Sequence, residues 1–377
     1  YTYMKILCTR ENLANALSLI SGIASKNINL PILNNVLIKA QEQKVDLIAT
    51  NLELAVTTQL RAKVENTGSF TVPAKTLNDF VNLLSEEKVE LSVKENELEV
   101  VSGKSSTKIK GTAADEFPVV PSVNEGRGYV VESELLKKGL DQVNQAAARN
   151  DIRPELAGLV FKFNSEKKKL VMAATDSYRL AEKKISLEQG DEEVDIIVPI
   201  RTAQEINRVL ALNKNTGSSE KKVRIITSDN QIVVRNNDVE LVSRLVEGKY
   251  PDYTQIIPTN FASTAVFSTQ KMTKEVKAAS LFTTTGVNAV SFCIKPSDGV
   301  VAMSSASAQA GEHKSEVSAE TAGEENSIFL NHRYVLDGLG NIDSDSCELK
   351  IVNGDSPCVL APVGDDSYVY IVMPIRQ

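Results

Sequence analysis

A strand that runs through a proline into a helix recurs in this chain of 377 residues, and the recurrence limits the fold more than any other feature. The first copy, FTVPAKTLNDFVNLL, spans 70–84, with apolar residues at helical spacing after Pro73. Proline suits the start of a helix because its missing N–H would have no partner there. The pattern returns as IIVPIRTAQEINRVL at 196–210 and, more loosely, as IFLNHRYVLDGLGNI at 328–342. Three copies predict a tandem repeat of three similar domains.

Each repeat also contains an earlier helix with one apolar face. Apolar residues recur there at the i, i+4, i+7 spacing that places one stripe of a helix against a core. The recurring positions are Leu13, Leu17 and Ile20; Leu136, Leu140 and Val143; and Met272, Val276 and Ala279. The six predicted helices span 10–21, 75–84, 133–150, 201–210, 269–280 and 333–342.

Apolar strands separate these helices. LPILNNVLI at 30–38 and RPELAGLVF at 153–161 are predicted strands that lead through charged turns into second strands. Helices beside hairpin-linked strands predict an α+β fold, with antiparallel sheets outside and two helices inside each domain. The Ser-, Ala- and Glu-rich stretch 304–327 is predicted as a loop with an edge strand. The predicted domains are 4–124, 128–256 and 259–377.

The composition is that of a globular protein without a membrane span. Hydrophobic residues make up 42% of the chain, and no apolar run approaches the ~18 residues of a spanning helix. No secretory signal precedes Met4, so we expect a cytoplasmic protein. Unpaired cysteine spacing indicates free thiols in a reducing compartment. The cysteines are Cys8, Cys293, Cys347 and Cys358.

Motifs for catalysis or a cofactor are incomplete. GKS at 103–105 lacks the earlier glycine of a phosphate-binding loop, GxGxxG is missing, and the two histidines are too far apart for a metal site. SxxK at 165–168 and SDN at 228–230 match two parts of a serine acyl-enzyme signature, but KTG is missing. The sequence therefore favours a protein without catalysis, cofactor or metal, with a serine acyl-transferase as an alternative.

Asp176 and Arg179, in ATDSYRLA at 174–181, form a further pair that could be read as catalytic. Neither a histidine nor a cysteine lies nearby to complete an acid/base site. We predict instead that Asp176 holds a turn and that Arg179 is exposed beside it.

The predicted helices differ in charge from the rest of the chain. They contain 11 basic and 7 acidic residues, a net charge of +4, whereas the whole chain carries −7 and the remainder therefore −11. A positive face on an acidic body is typical of a protein that guides a polyanion to one place. Ordinary solvated helix faces are the alternative interpretation.

Five strings, in the same order, resemble the beta subunits of bacterial DNA polymerase III, the beta sliding clamps. The strings are LPILNNVLI (30–38), VPAK (72–75), ATDSYRLA (174–181), LVEGKYPDY (245–253) and VMPIR (372–376). The resemblance covers the whole chain and implies the DNA-clamp fold, with three similar domains. It also implies a homodimer that closes head to tail into a six-domain ring, with helices lining the hole and sheets on the rim.

The resemblance implies a role in DNA replication, as a processivity factor that encircles duplex DNA. Because a ring holds DNA by topology, a weak, sequence-independent attraction to phosphates is sufficient. The family's DNA-facing loop often carries aromatic residues where this chain has Pro154 and Glu155. The resemblance places near DNA Lys26, Asn27, Lys75, Arg149 and Asn150, and the repeat pattern adds Arg201.

A second surface implied by the resemblance is an apolar groove between domains two and three. It binds short linear motifs of the replicative polymerase, the clamp loader, other DNA polymerases and repair proteins. This chain departs from the family pattern at Tyr178, where many members carry histidine. The matching positions are Leu156, Thr175, Ser177, Tyr178, Arg179, Leu180, Pro251, Ile256, Val287, Tyr334, Cys358, Val372, Met373, Pro374, Ile375 and Arg376.

The resemblance also implies a ring interface between the first domain of one chain and the third domain of its partner. Opposite charges on the two edges would set the head-to-tail direction. The candidate positions are Lys104, Lys108 and Ile109 on a basic strand, and Leu281, Phe282, Glu312 and Glu316 on an acidic edge. A repeat-built scaffold that binds peptides but no nucleic acid is the other alternative.

Overall fold

The computed structural model describes residues 4–24, 29–120, 125–148, 152–213 and 221–376, which divide into two compact units. The first unit comprises Tyr1–Lys137, Leu187–Asp191 and Gln204–Leu245, and the second comprises Lys138–Ser186, Glu192–Ala203 and Val246–Gln377. The described helices are α1 (Arg10–Ile20), α2 (Ala74–Leu83), α3 (Ser133–Asn144), α4 (Ile200–Asn213), α5 (Thr269–Ser280) and α6 (His332–Leu339). With the strands below, they confirm the predicted α+β class.

The first unit contains two antiparallel sheets. The smaller sheet has the order β5 (Ala62–Asn66), β1 (Lys5–Thr9), β7 (Lys88–Lys94), β8 (Glu97–Ser102) and β9 (Ser105–Lys110). The larger sheet has the order β10 (Thr112–Ala113), β6 (Gly68–Pro73), β2 (Asn35–Ala40), β3 (Val45–Thr50), β4 (Leu54–Leu60), β19 (Val239–Arg244), β18 (Gln231–Asn236), β17 (Lys222–Thr227), β11 (Arg127–Glu132) and β15 (Gln189–Gly190). The pairing of β4 with β19 joins segments far apart in the chain.

The second unit contains one antiparallel arrangement of twelve strands. Its order is β16 (Val194–Pro199), β12 (Gly158–Asn164), β13 (Lys169–Thr175), β14 (Arg179–Ser186), β27 (Tyr368–Val372), β26 (Cys358–Pro362), β25 (Ser346–Ile351), β20 (Ser263–Ser268), β23 (Gly311–Gly323), β22 (Val300–Ser307), β21 (Ala289–Lys295) and β24 (Asn326–Asn331). The pairing of β14 with β27 brings ATDSYRLA beside the C-terminal strand.

The predicted apolar faces of α1, α3 and α5 are confirmed. All nine recurring positions, from Leu13 to Ala279, are almost fully buried. Burying a side chain such as leucine stabilises the fold by about 1.5–3 kcal/mol, so these stripes anchor the helices to the sheets.

The strand-to-helix repeat is confirmed at all three sites. Helices α2, α4 and α6 directly follow β6, β16 and β24, and a basic residue is the second residue of each helix. These residues, Lys75, Arg201 and Arg333, are all exposed. The third copy lacks the proline, and there the Asn331 side chain caps α6 by accepting the Arg333 N–H at 3.0 Å.

Helix α3 ends at Asn144, so the prediction that it continues to residue 150 is wrong. The alanines that follow are good helix formers, but they are buried in a turn. The N–H of Ala148 donates to the carbonyl of Leu156 at 3.0 Å, a bond that a continuing helix would forbid.

Two predicted strands begin later than expected. Residues 31–34 and 154–156 form short 3₁₀ helices, each starting at a proline, and the strands start at Asn35 and Gly158. Proline's fixed φ angle favours the helical turn over an extended start.

The stretch 304–327 was expected to be a loop with an edge strand, and the loop part of this prediction is wrong, because most of the stretch forms strand β23. Residues 311–318 of β23 pair with β22 and residues 319–323 pair with β20, so each half of the strand pairs with one neighbour. Its side chains are mostly exposed apart from Val317, which explains why a polar stretch concealed a paired strand. The domain boundaries at 4–124, 128–256 and 259–377 stay a prediction.

Candidate functional site

A tight turn between β13 and β14 carries the polar end of the candidate site. The Thr175 hydroxyl donates to the Arg179 carbonyl at 2.7 Å and accepts the Ser177 N–H at 3.1 Å. Asp176 Oδ1 accepts the N–H groups of Tyr178 and Arg179, each at 3.0 Å. Ser177 adopts a left-handed φ of 76°, which places Tyr178 at the outer tip of the turn. The prediction that Asp176 holds a turn is confirmed.

The first unit contains the same turn at Thr50–Leu54. The Thr50 hydroxyl donates to the Leu54 carbonyl at 3.0 Å, Asn51 accepts two N–H groups, and Leu52 has a φ of 77°. The turn is therefore a property of the repeat, since asparagine accepts these bonds as well as aspartate. Any function particular to the second unit must come from its side chains.

Arg179 is buried, with only 4% of its side chain exposed, so the prediction that it is exposed beside the turn is wrong. Its guanidinium donates to Asp176 Oδ2 at 3.1 Å and also pairs with Asp337 in α6. Burial acts to lower the pKa of Arg179, but contacts with Tyr370, Asp337 and Asp176 outweigh burial and raise it. Arg179 is therefore a permanently charged tie between the turn and α6.

Tyr178 and Tyr334 form an aromatic surface above this tie. Their rings are stacked, with centroids 6.4 Å apart and an interplanar angle of 20°. The Arg179 guanidinium lies 4.6 Å from the centre of the Tyr334 ring, a cation–π contact. Tyr178 is 62% exposed, so its ring is available to a partner at this surface.

The C-terminal segment forms a second wall. Val372, the last residue of β27, pairs with Arg179, and the Met373 N–H donates to the Tyr178 carbonyl at 2.9 Å. Further along, the Ile375 N–H donates to the Phe329 carbonyl at 2.8 Å. These bonds hold Met373, Pro374 and Ile375 half-buried beside Tyr178.

The structure separates the predicted groove residues into a surface and a base. The exposed or half-exposed members are Ser177, Tyr178, Pro251, Ile256, Val287, Tyr334, Met373, Pro374, Ile375 and Arg376. The buried members are Leu156, Thr175, Arg179, Leu180, Cys358 and Val372. Leu156 and Leu180 belong to an apolar cluster with Tyr250 and Tyr253, so they support the surface from beneath.

Three residues of the site were not predicted from the sequence. Asp337 holds Arg179, the Tyr370 hydroxyl donates to the Tyr334 carbonyl at 2.9 Å, and the Tyr250 hydroxyl accepts the Thr175 N–H at 3.0 Å. Tyr250 lies beside Pro251 in the LVEGKYPDY string, which was the one available signal. Asp337 and Tyr370 gave none, because their partners are distant in the chain.

His332, the first residue of α6, makes the stability of this region dependent on pH. It is buried, its Nδ1 has no hydrogen-bond partner among the described residues, and burial together with the Arg333 charge lowers its pKa. A lowered folded-state pKa favours the neutral imidazole, so the stabilisation is present above the unfolded pKa of about 6.5 and lost as pH falls through the folded value.

We expect the melting temperature of the wild type to fall more than that of His332→Gln between about pH 7.5 and about pH 5. Thermal melts of both proteins in matched ionic strength measure the difference. Parallel pH profiles for the two proteins would contradict the assignment to His332.

The predicted DNA-contact positions are only partly described. Lys26, Asn27, Arg149 and Asn150 lie outside the described residues. Lys75 and Arg201 are exposed, and Lys75 Nζ lies 3.2 Å from Asp79 Oδ2 one helical turn later. The six observed helices do not include Arg149. They contain 10 basic and 7 acidic residues and carry a net charge of +3.

The predicted interface residues lie at two edges, each in its own unit. Strand β9 is the edge of its sheet. Lys104 is exposed just before the strand, Lys108 is exposed within it, and Ile109 is buried. Leu281 caps α5 and is 72% exposed. In the same unit Phe282 stacks on His313 at 5.7 Å, Glu312 is exposed, and Glu316 pairs with Lys295 at 3.6 Å.

The serine pattern lacks the setting that acyl transfer requires. Ser165 lies in the turn between β12 and β13, and Ser228 lies in the turn between β17 and β18. Neither serine begins a helix, where an acylating nucleophile of this signature is held. Among the described residues no group of three or more His, Cys, Asp or Glu is arranged to hold a metal ion. None of the described helices has the length and apolar character to cross a membrane.

Comparison with known proteins identifies the class to which this fold belongs. The sequence matches the N-terminal, central and C-terminal domains of the DNA polymerase III beta subunit over residues 4–121, 130–252 and 254–376. A crystal structure of the beta subunit from Thermotoga maritima superposes with a TM-score of 0.92 at 28% identity, covering 99% of this chain and 100% of that one. The architecture is therefore that of three tandem clamp domains.

The curated relatives give the same family. The beta sliding clamp of Staphylococcus aureus is 30% identical over 362 residues, 93% of this chain and 94% of the relative. That of a Synechocystis species is 28% identical over 394 residues, 99% of both chains. This chain belongs to the DNA polymerase III beta subunit family, the beta sliding clamps.

Proposed function

We propose that this protein is a DNA sliding clamp that encircles duplex DNA and tethers a replicative DNA polymerase. Two chains would close head to tail into a ring, and the Tyr178–Tyr334 surface with the C-terminal segment would bind short linear motifs of partners. The observation that carries this proposal is the match of all three clamp domains, in order, over nearly the whole chain. The protein would act without catalysis, as a processivity factor.

The charge distribution supports weak, sequence-independent contact with DNA. The second residues of α2 and α4, Lys75 and Arg201, are exposed cations in repeated positions. A helical net charge of only +3 on an acidic chain provides attraction without tight binding. Tight contact with base edges would oppose sliding, because such contacts fix a protein to one sequence.

The Tyr178–Tyr334 surface supports peptide binding by partners. Exposed aromatic and aliphatic side chains on a rigid base are what short linear motifs recognise through one or two anchors. Here the base is rigid because Arg179, Tyr370 and the backbone of Met373 tie the turn, α6 and the C-terminal segment together. The partners we propose are the replicative polymerase, the clamp loader, and other polymerases and repair proteins.

The ring proposal is tested by retention on DNA of different topology. The protein, loaded onto a nicked circular duplex, is expected to stay through gel filtration and to be released when the circle is linearised. Lys75→Glu with Arg201→Glu should lower the salt slope of binding to short linear duplex by about one unit per lost phosphate contact. Retention of that variant on the circle should persist, because topology holds the ring.

The control for this experiment is Lys39→Glu, an exposed lysine on β2. It should change neither measurement. Equal retention of the wild type on circular and linear DNA would reject the ring. A wild type that binds partner peptides but is never retained on circles would favour the scaffold that binds no nucleic acid.

A further inference from the structure

The first unit contains a cleft at the position that corresponds to the Tyr178–Tyr334 surface. It has a volume of about 500 Å³, within the range of sites that bind small ligands or anchoring side chains. We call it the Leu52 cleft, and its lining includes Leu52, Glu53, Val119, Val120, Val242 and Arg244.

The correspondence rests on backbone geometry in each unit. In the first unit the Thr50–Leu54 turn leads into β4, and Leu54 pairs with Ser243 of β19. In the second unit the equivalent turn leads into β14, and Arg179 pairs with Val372 of β27. Both turns have their left-handed residue at the third position, Leu52 in one and Ser177 in the other. The repeat has therefore built the same turn and strand pairing twice.

The side chains on the two turns differ. Leu52 replaces Ser177, Glu53 replaces Tyr178 and the buried Leu54 replaces Arg179, so the Leu52 cleft has neither the aromatic stack nor the buried cation. Leu52 is 49% exposed and Val119 is 94% exposed. Beneath them Val242 belongs to a buried cluster with Ile226 and Val233. The cleft therefore offers an aliphatic pocket with a firm base.

Two opposite charges flank this pocket. The Arg244 N–H donates to the Glu53 carbonyl at 3.0 Å, which holds the two residues side by side. Both side chains are exposed, and the described part of the chain provides no ion pair or side-chain hydrogen bond for either. The unpaired guanidinium is a ready partner for a carboxylate, which it binds through two parallel N–H donors.

We propose that the Leu52 cleft is a second peptide-binding site, for an extended segment with an aliphatic side chain next to an acidic residue. The aliphatic side chain packs against Leu52, Val119 and Val242, and the carboxylate meets Arg244. The Glu53 carboxylate repels a peptide whose acidic residue lies on the Glu53 side of the aliphatic side chain. This repulsion sets the direction in which the peptide binds. The site is independent of the Tyr178–Tyr334 surface, so a clamp could hold partners of two motif classes.

The test uses a synthetic peptide whose central leucine carries a photoreactive diazirine, followed by two aspartates. Irradiation with the full-length protein is expected to label Leu52, Val119 or their neighbours, mapped by mass spectrometry. A matched control peptide carries two lysines in place of the two aspartates. Labelling by the aspartate peptide should be up to about fivefold greater than labelling by the control, because an exposed charge pair can supply about that factor in affinity. Arg244→Glu should reverse this preference.

Two further variants separate the cleft from a general apolar effect. Val119→Asp should lower labelling about tenfold through loss of apolar contact, and the fold should survive because the side chain lies in solvent. Tyr178→Ala should leave labelling of the cleft unchanged. Labelling confined to the Tyr178–Tyr334 region, equal labelling by both peptides, or an unchanged preference in Arg244→Glu would overturn the proposal.

Discussion

Removal of the last five residues, Met373 to Gln377, is expected to weaken binding of a polymerase-tail peptide by about 100-fold, or about 2.8 kcal/mol. The truncation deletes one wall of the Tyr178–Tyr334 surface, with the half-buried Met373, Pro374 and Ile375. Loss of two apolar anchoring contacts accounts for this magnitude, since each is worth about 1.5 kcal/mol or more when fully buried. The truncation also removes the hydrogen bond that the Met373 N–H donates to the Tyr178 carbonyl.

Isothermal titration calorimetry with the peptide measures the effect. Strand β27 ends at Val372 and stays intact, so the melting temperature and the solution mass should change little. The matched control is Arg376→Ala, which removes an exposed charge from the same segment and should alter affinity only slightly. Undiminished binding by the truncated chain would show that the C-terminal segment is not part of the peptide site.

Replacement of Arg179 by methionine is expected to produce the second large effect, a loss of about 2–3 kcal/mol of stability. The substitution preserves much of the apolar stem but leaves Asp176 and Asp337 facing each other without the cation between them. Removing one partner of a fully buried pair costs more, about 3–5 kcal/mol, but Asp337 is partly exposed and regains some hydration. Peptide affinity should fall about tenfold, because Tyr334 loses its cation–π contact.

A double-mutant cycle with Asp337→Asn isolates this interaction. Asparagine has nearly the shape of aspartate without its charge, so the double variant should recover part of the stability that Arg179→Met loses. Arg179→Lys is a further control, because lysine keeps the positive charge but lacks the planar guanidinium that bonds on two sides. Denaturant unfolding of the four cycle proteins gives the coupling energy. Strictly additive losses would mean that the Arg179–Asp337 pair contributes nothing to holding the turn against α6.

Local patterns predicted much of the fold. The apolar stripe at Leu13, Leu17 and Ile20 packs as expected, and the basic position at Lys75, Arg201 and Arg333 recurs as the second residue of its helix. These features follow from helical periodicity and from residues that start helices, which act over a few positions in the chain. The prediction for α3 was wrong beyond Asn144 because a bond to Leu156 outweighed the helix propensity of three alanines.

The site was less predictable, because its groups meet across long stretches of sequence. Arg179 looked like a surface residue beside a turn, yet its partner Asp337 lies 158 residues away. In the same way, β4 and β19 are neighbours only through sheet pairing, and that pairing creates the Leu52 cleft. A local sequence pattern does not predict which distant strand will pair with a given strand.

By itself, the sequence determined the tandem repeat, the apolar faces of the helices, the basic residue at each second helix and the family resemblance. Only the tertiary structure decided which predicted groove residues form a surface and which lie beneath it, and that Arg179 is a buried tie. It alone showed that the repeat frames a second cleft with different side chains. The physical reason is range: periodicity and capping act between near neighbours, whereas burial and charge pairing depend on which strands the folded sheets place side by side.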